Sequence, residues 1–212
     1  MRINEETLAS LRENIQGRMS GKRLAHTLAV EKMAVRMGKL YCPEKLDILA
    51  AAALLHDITK EKTTEEHIEI CKRLGASYTE DNVLAPKTLH AITAAASIPV
   101  EFPEFNDDEI VLAVRYHTTG RAGMSLIEKI IYLADYIDDT RTFPDCVALR
   151  EMFWGKDVLL MSESERLLHL DSVVLRSLEM TIADLVDNGR VVNTDTTAAR
   201  NYVLEKIKNG EY

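Results

Sequence analysis

Residues 46–57, LDILAAAALLHD, place ten almost wholly apolar residues directly before the pair His56-Asp57. A helix that is apolar on every side is buried, so the end of this helix carries an imidazole and a carboxylate into the interior. A buried charge without a partner costs several kcal/mol, and a compensating group is therefore required. The stretch predicts a central buried helix that ends in a polar site.

The rest of the chain also has a helical pattern. It contains five prolines and nine glycines, lacks an alternating segment rich in Val, Ile or Thr, and repeats apolar residues every three or four positions. We predict an all-α helical bundle with a C-terminal helical extension, in one domain spanning residues 1–212. The predicted helices lie near residues 4–17, 21–40, 44–56, 64–74, 86–97, 107–117, 125–138, 146–156, 162–188 and 196–208, with loops near 57–63, 98–106, 118–124 and 139–145.

Composition restricts the class of partner. The chain has 26 basic and 34 acidic residues, a net charge of -8, which argues against a nucleic-acid or anionic-membrane surface. Cys42, Cys71 and Cys146 are widely spaced and form no Cys-x-x-Cys pair, so we expect reduced thiols and a cytoplasmic location. The apolar runs are too short for a signal peptide or a membrane span.

Three more ionisable residues interrupt apolar helix faces. His26 begins the inward stripe of residues 21–40, His117 ends the stripe of residues 107–117, and Asp135 lies within the run IIYLADYI at 130–137. Each alone has an ordinary explanation as a buried, hydrogen-bonded side chain, as His67 also has. Four helix faces that direct imidazole and carboxylate to one interior together predict a metal site. These ligands suit iron, manganese, nickel or zinc.

The order His26, His56-Asp57, Asp135 resembles the HD superfamily of metal-dependent phosphohydrolases over about residues 18–142. A narrower resemblance rests on five stretches, namely LLHDITK (54–60), LHA (89–91), YHTTGR (116–121), KIIYLADYI (129–137) and NTDT (193–196) through Asn201. Together they resemble the bacterial symmetrical diadenosine tetraphosphatases over nearly the whole chain. One departure is DDTR at 138–141, where that family has a Glu-Pro pair before the arginine.

The resemblance implies an HD-type bundle with a metal-binding core at about 18–142 and C-terminal helices at about 145–208. The core is expected to hold two divalent metal ions, with iron as the expected metal. The resemblance implies that the first ion is held by His26, His56, Asp57 and Asp135. The second ion is held by His90 and His117, with Asp57 bridging. A metal-bound hydroxide then attacks an inner phosphorus of diadenosine tetraphosphate and releases two ADP.

The same resemblance implies a set of substrate contacts. Asp57 and Lys60 are the expected catalytic residues. Lys60 corresponds to a phosphate-binding lysine in that family, although composition alone favours a solvated lysine in the run Lys60-Glu61-Lys62. The turn after His117 offers hydroxyls, backbone N–H groups and a guanidinium, or is simply a polar turn after a helix. Arg141 is expected to bind phosphate rather than only to compensate a helix end. The expected contacts are Lys60, Thr118, Thr119, Gly120, Arg121 and Arg141.

Other functions stay open at this stage. An HD phosphohydrolase could cleave a guanosine alarmone or a deoxynucleoside triphosphate instead. A di-iron oxygenase and a non-catalytic nucleotide-binding module are the rivals from other classes, and Lys60 and Arg121 favour a phosphate ester over the oxygenase. The expected partner is a dinucleoside polyphosphate or a nucleoside diphosphate, with a homodimer as a further expectation and no nucleic acid or membrane.

Overall fold

The protein is helical along its length. The computed structural model describes residues 3–212, and these residues contain no β-strand. The predicted all-α bundle with a C-terminal helical extension is confirmed. The helices are α1 (Glu5–Gln16), α2 (Gly21–Tyr41), α3 (Leu46–Leu55), α4 (Thr64–Leu74), α5 (Glu80–Leu84), α6 (Leu89–Glu101), α7 (Asp108–Tyr116), α8 (Leu126–Ile137), α9 (Pro144–Trp154), α10 (Glu163–Asp187) and α11 (Thr194–Asn209).

Several helices begin where the sequence supplies a reciprocal N-terminal cap. At the start of α4, the side chain of Thr63 accepts from the backbone N–H of Glu66, and the Glu66 carboxylate accepts from the backbone N–H of Thr63. Ser125 with Glu128 does the same for α8, and Ser162 with Glu165 for α10. Such caps satisfy N–H groups that a first helical turn leaves without partners.

One predicted loop is partly wrong, and one short helix was not predicted. Residues 98–106 were expected to form a loop around Pro99, yet α6 continues through Pro99 to Glu101. The buried side chains of Phe102 and Phe105 anchor the chain just beyond this turn, which offsets the backbone hydrogen bond that Pro99 cannot make. The short helix α5 has too few residues to show a periodic pattern in the sequence.

The buried helix α3 lies at the centre of the bundle. Its residues from Leu49 to Leu55 are all buried, and it packs against α1, α2, α6, α7 and α8. Gly38 permits the close approach of α2, because a Cβ atom there would overlap the side chain of Leu49. The apolar core runs without a break from Leu8 in α1 to Val203 in α11. This packing brings the ends of α3, α7 and α8 and the start of α6 to one region.

The C-terminal helices cover one side of this region. The helix α10 packs on α8, α9 and α11. No helix within residues 3–212 is long and apolar enough to cross a membrane.

Candidate metal centre

Five helices deliver six ionisable side chains to one cluster. His26 comes from α2, the pair His56-Asp57 follows α3, and His90 lies in the first turn of α6. The other two are His117, directly after α7, and Asp135, in the last turn of α8. Their potential ligand atoms fall into three overlapping groups, each within 4.8 Å: His26, His56 and Asp57; His56, His117 and Asp135; Asp57, His90 and His117.

Asp57 lies between two pairs of histidines. Its Oδ2 atom is 3.4 Å from His56 Nε2 and 3.8 Å from His26 Nε2. Its Oδ1 atom is 3.2 Å from His90 Nε2 and 3.6 Å from His117 Nε2. The two oxygens of one carboxylate therefore face different histidine pairs. Asp135 Oδ1 lies on the first side, 2.9 Å from His26 Nε2.

Backbone carbonyls determine the orientation of three of these imidazoles. The Nδ1 atoms of His56, His90 and His117 lie 2.6, 2.7 and 2.8 Å from the carbonyl oxygens of residues 53, 87 and 114. A carbonyl oxygen only accepts, so we assign the ring proton to Nδ1, which donates and leaves Nε2 with a free lone pair. His90 Nε2 and His117 Nε2 lie 2.9 Å apart, and a bound cation or the nearby Lys60 ammonium, 3.0 Å from His90 Nε2, would offset the repulsion between two facing lone pairs.

The cluster fits a divalent metal ion by its own chemistry. His56 Nε2 and Asp57 Oδ1 are buried without a hydrogen-bond partner. Buried polar atoms without partners are rare because they are costly, and both belong to the cluster. Neutral imidazole and carboxylate are the ligands that first-row divalent ions prefer. These side chains therefore suit a metal centre better than a network of protein hydrogen bonds.

The protonation states of most of these residues agree with metal binding. Burial, followed by the charge of Lys60, lowers the pKa of His90 to about 3, and burial lowers the pKa of His117. Burial opposes ionisation of Asp57, but the neighbouring histidines, His56 above all, outweigh it and hold the carboxyl pKa well below its usual range. The pKa of His26 is raised to about 9, because Asp135 and Asp138 outweigh its burial. A bound cation would replace that proton.

Two residues that were not predicted from the sequence also contact this cluster. Arg23 donates from Nη1 to Asp57 Oδ2 at 2.6 Å. Asp138 is fully buried, and its Oδ2 lies 3.2 Å from His26 Nδ1. Arg23 is three residues before His26, and Asp138 three after Asp135, so helical spacing was the signal that could have found them.

A cavity of about 810 Å³ opens beside the cluster. It is lined by His117 and Asp135 and by four of the predicted substrate contacts, Lys60, Thr118, Thr119 and Arg141. Lys60 Nζ lies 3.0 Å from His90 Nε2, and Arg141 Nη2 donates to Asp135 Oδ1 at 2.7 Å. The expected phosphate-binding side chains thus lie next to the expected ligands.

The other two predicted contacts, Gly120 and Arg121, are not among the residues that line this cavity. Arg121 forms a two-pronged pair with the buried carboxylate of Glu128, at 2.6 and 2.9 Å. Gly120 has a φ of 65°, and a Cβ atom there would lie 3.1 Å from the side chain of Ala199. Both residues shape the turn after α7, and their contact with substrate stays a prediction.

Known proteins are similar to this chain over most of its length. Two curated relatives are named symmetrical bis(5'-nucleosyl)-tetraphosphatase. The one from Bacillus subtilis (strain 168) is 29% identical over 204 residues, which cover 94% of this chain and 97% of the relative. The one from Staphylococcus aureus (strain NCTC 8325 / PS 47) is 28% identical over 194 residues, which cover 89% of this chain and 91% of the relative.

A solved structure supports the same grouping. A crystal structure described as a "predicted HD superfamily hydrolase involved in NAD metabolism", from Clostridium acetobutylicum, superposes with a TM-score of 0.81 at 30% identity, over 93% of this chain and 97% of that chain. The HD domain family model matches residues 23–140, which include all six clustered residues from His26 to Asp135. The His/Asp groups and the family match indicate a divalent metal. The chain belongs to the HD domain family.

Proposed function

We propose that this chain hydrolyses diadenosine tetraphosphate symmetrically to two ADP, using two divalent metal ions. The observation that carries the proposal is the position of Asp57, whose two oxygens face separate pairs of histidines. A carboxylate in this position can bridge two ions that are about 3.5–4 Å apart. The names of the curated relatives support the choice of substrate.

The six ligands divide between two ions in this proposal. His26, His56 and Asp135 would hold the first ion together with Asp57, while His90 and His117 would hold the second together with the same carboxylate. When bound, such a pair of ions lowers the pKa of a shared water and neutralises charge on a phosphoryl group. Imidazole and carboxylate suit iron, which we propose as the ion, and also manganese, nickel or zinc.

The residues beside the ligands bind the polyphosphate in this proposal. Lys60 brings an ammonium group to the inner phosphates, because its Nζ lies 3.6 Å from Asp57 Oδ1 and borders the cavity. Such a group stabilises the negative charge that develops during attack. Thr118 offers a hydroxyl at the same edge, 3.1 Å from His117 Nε2. Arg141 orients Asp135 and presents a second cation to the cavity.

Local charge supports an anionic ligand although the whole chain is acidic. Four cationic residues line the cavity, namely Lys60, Lys87, Arg141 and Arg190. Three acidic residues also line it: Asp135 faces the metal cluster, Asp184 is paired with Arg190, and Asp145 lies in the first turn of α9. The cavity therefore has a small local excess of positive charge, with Lys60 and Lys87 as the cations that no lining carboxylate pairs, which suits a polyphosphate.

The test is incubation of the iron-loaded protein, purified without oxygen, with diadenosine tetraphosphate in ¹⁸O-labelled water. The expected product is ADP alone, with the labelled oxygen in one of the two ADP molecules released per turnover. AMP with ATP would overturn the symmetrical cut. The same assay should be run with a guanosine alarmone, a deoxynucleoside triphosphate and NAD as alternative substrates. NAD is included because of the description of the Clostridium acetobutylicum structure. Faster cleavage of any of these would overturn the choice of substrate.

A further inference from the structure

The cavity beside the metal cluster has an apolar part that the metal chemistry does not require. Three of the exposed large apolar side chains of the protein line it, Leu84, Phe143 and Val191. Phe143 is 66% exposed, which is unusual for a phenylalanine. A single exposed apolar residue is ordinary, but three around one cavity with cationic residues suggest a ligand with both an apolar and an anionic part.

The backbone that carries Phe143 is held firmly. Arg150, on α9, donates to the carbonyl oxygens of Ile137 at 2.7 Å and Arg141 at 2.8 Å, which ties the loop after α8 to α9. Phe143 occupies the N-cap position of α9 without a side-chain hydrogen bond, and Pro144 follows it as the first residue of the helix. The exposed ring is therefore on a fixed support rather than on a free loop.

Two other aromatic residues that line the cavity already have partners. The hydroxyl of Tyr132 accepts from Ser177 at 3.2 Å, and that of Tyr136 accepts from Thr181 at 3.4 Å, so both rings are held against α10. Phe143 makes no ring contact with another aromatic residue among residues 3–212. Its ring is available for stacking.

The position of Phe143 relative to Arg141 matches the two ends of a nucleotide. Arg141 contacts the metal ligand Asp135, and Phe143 follows it by two residues. Both residues line the cavity, so a cation that contacts a metal ligand and an exposed aromatic ring belong to the same wall. A nucleoside diphosphate offers an anionic part and an aromatic part to such a wall.

We infer that Phe143 is the stacking platform for the purine base of the bound nucleotide, and that it makes the site selective for nucleotides over plain polyphosphates. This inference rests on the proposed function. The base lies against the Phe143 ring, and its phosphates reach back past Arg141 to the metal cluster. Every base has a π-face, so this contact supplies affinity without reading the identity of the base.

Calorimetric titration of the metal-loaded protein with ADP and with inorganic pyrophosphate tests the inference. Phe143→Ala should weaken ADP binding by about tenfold, within the range of about 5- to 150-fold that ~1–3 kcal/mol per stacked base corresponds to. Pyrophosphate binding and metal content should not change. Phe143→Tyr should retain ADP affinity. Phe143→Leu, which keeps apolar bulk without a ring, should lose most of it. Leu160→Ala removes a side chain that is 82% exposed and outside the cavity, and it serves as the control.

Unchanged ADP affinity in Phe143→Ala, or in Phe143→Leu, would overturn the stacking role. An equal loss of pyrophosphate affinity would also overturn it, because the effect would then not depend on the base. The two proposals fail separately. If the wild type hydrolyses diadenosine tetraphosphate while Phe143→Ala binds ADP normally, only the stacking role is refuted. If Phe143→Ala loses ADP affinity while the wild type leaves the tetraphosphate intact, only the hydrolase is refuted.

Discussion

Arg23 Nη1 lies 2.6 Å from Asp57 Oδ2, the oxygen that faces His26 and His56. A carboxylate oxygen has two lone-pair directions, so Oδ2 can accept from the guanidinium and still face a metal ion. The guanidinium fixes the rotation of the carboxylate, and that rotation determines which oxygen faces which pair of histidines. Arg23 is therefore a positioning residue for the proposed metal bridge.

Arg23→Ala should weaken metal binding by about 10- to 100-fold, the effect typical of removing a group that orients a ligand. The metal affinity of Arg23→Lys should lie between those of the wild type and Arg23→Ala, because an ammonium keeps the charge but not the planar geometry of the guanidinium. Competition with a coloured chelator measures the affinity. The matched control is Arg12→Ala. Arg12 pairs with Glu31, with 2.6 Å between Nη2 and Oε1, and neither residue belongs to the metal cluster. Tighter binding in Arg23→Ala would mean that the guanidinium competes with the metal rather than orienting its ligand.

Lys60→Ala should retain both metal ions and lose turnover by about 10²-fold or more, the size expected when one electrostatic stabiliser of a transition state is removed. Its ammonium group lies close to His90 and Asp57 but is not itself a metal ligand. Lys62→Ala is the control, because Lys62 is exposed in the same turn and does not line the cavity that Lys60 shares with His117 and Asp135. Metal content and initial rate are measured on the same preparations. Full activity in Lys60→Ala would refute the phosphate-binding role.

A buried ion cluster connects α8 to the C-terminal helices and allows a prediction about stability. Asp171 is 1% exposed and contacts Lys129 Nζ at 2.6 Å, Lys206 Nζ at 3.1 Å and the Tyr212 hydroxyl at 2.9 Å. Asp171→Ala leaves the buried Lys129 ammonium without its partner. It should lower the free energy of unfolding by ~3–5 kcal/mol, measured by urea denaturation.

Glu179→Ala is the matched control for Asp171→Ala. Glu179, on α10, pairs with Arg200 of α11 at 2.9 Å, and both side chains are about one-third exposed. Solvent screens such a pair, and its loss should cost less than ~1 kcal/mol. Equal effects of the two substitutions would contradict the role assigned to burial.

The helical class and the convergence of five ionisable residues could be predicted because each of the five interrupts an apolar stripe that must face the core, whereas His90 was found only through the family resemblance. The contacts of Arg23 and Asp138 were missed, because arginine and aspartate near helix ends look the same whether they face solvent or a buried ligand, and only their three-residue spacing from His26 and Asp135 pointed to the cluster. The pairing of Arg121 with Glu128 was missed for a related reason. The two residues belong to a turn and the following helix, and only the tertiary path of that turn brings them together.

The proposed pair of metal ions gives the sharpest contrast between substitutions. The wild type should contain two ions per chain by elemental analysis, when purified without oxygen or chelator. His90→Ala should retain one ion, because the ligands on the Oδ2 side of Asp57 stay intact. Asp57→Asn should lose both, because the neutral amide removes the charge and one oxygen of the shared ligand. His169→Ala is the control. His169 is buried outside the cluster, and its Nε2 forms a hydrogen bond with the carbonyl oxygen of Phe153. A wild type with one ion, and a His90→Ala variant with the same metal content and rate, would refute the two-metal proposal.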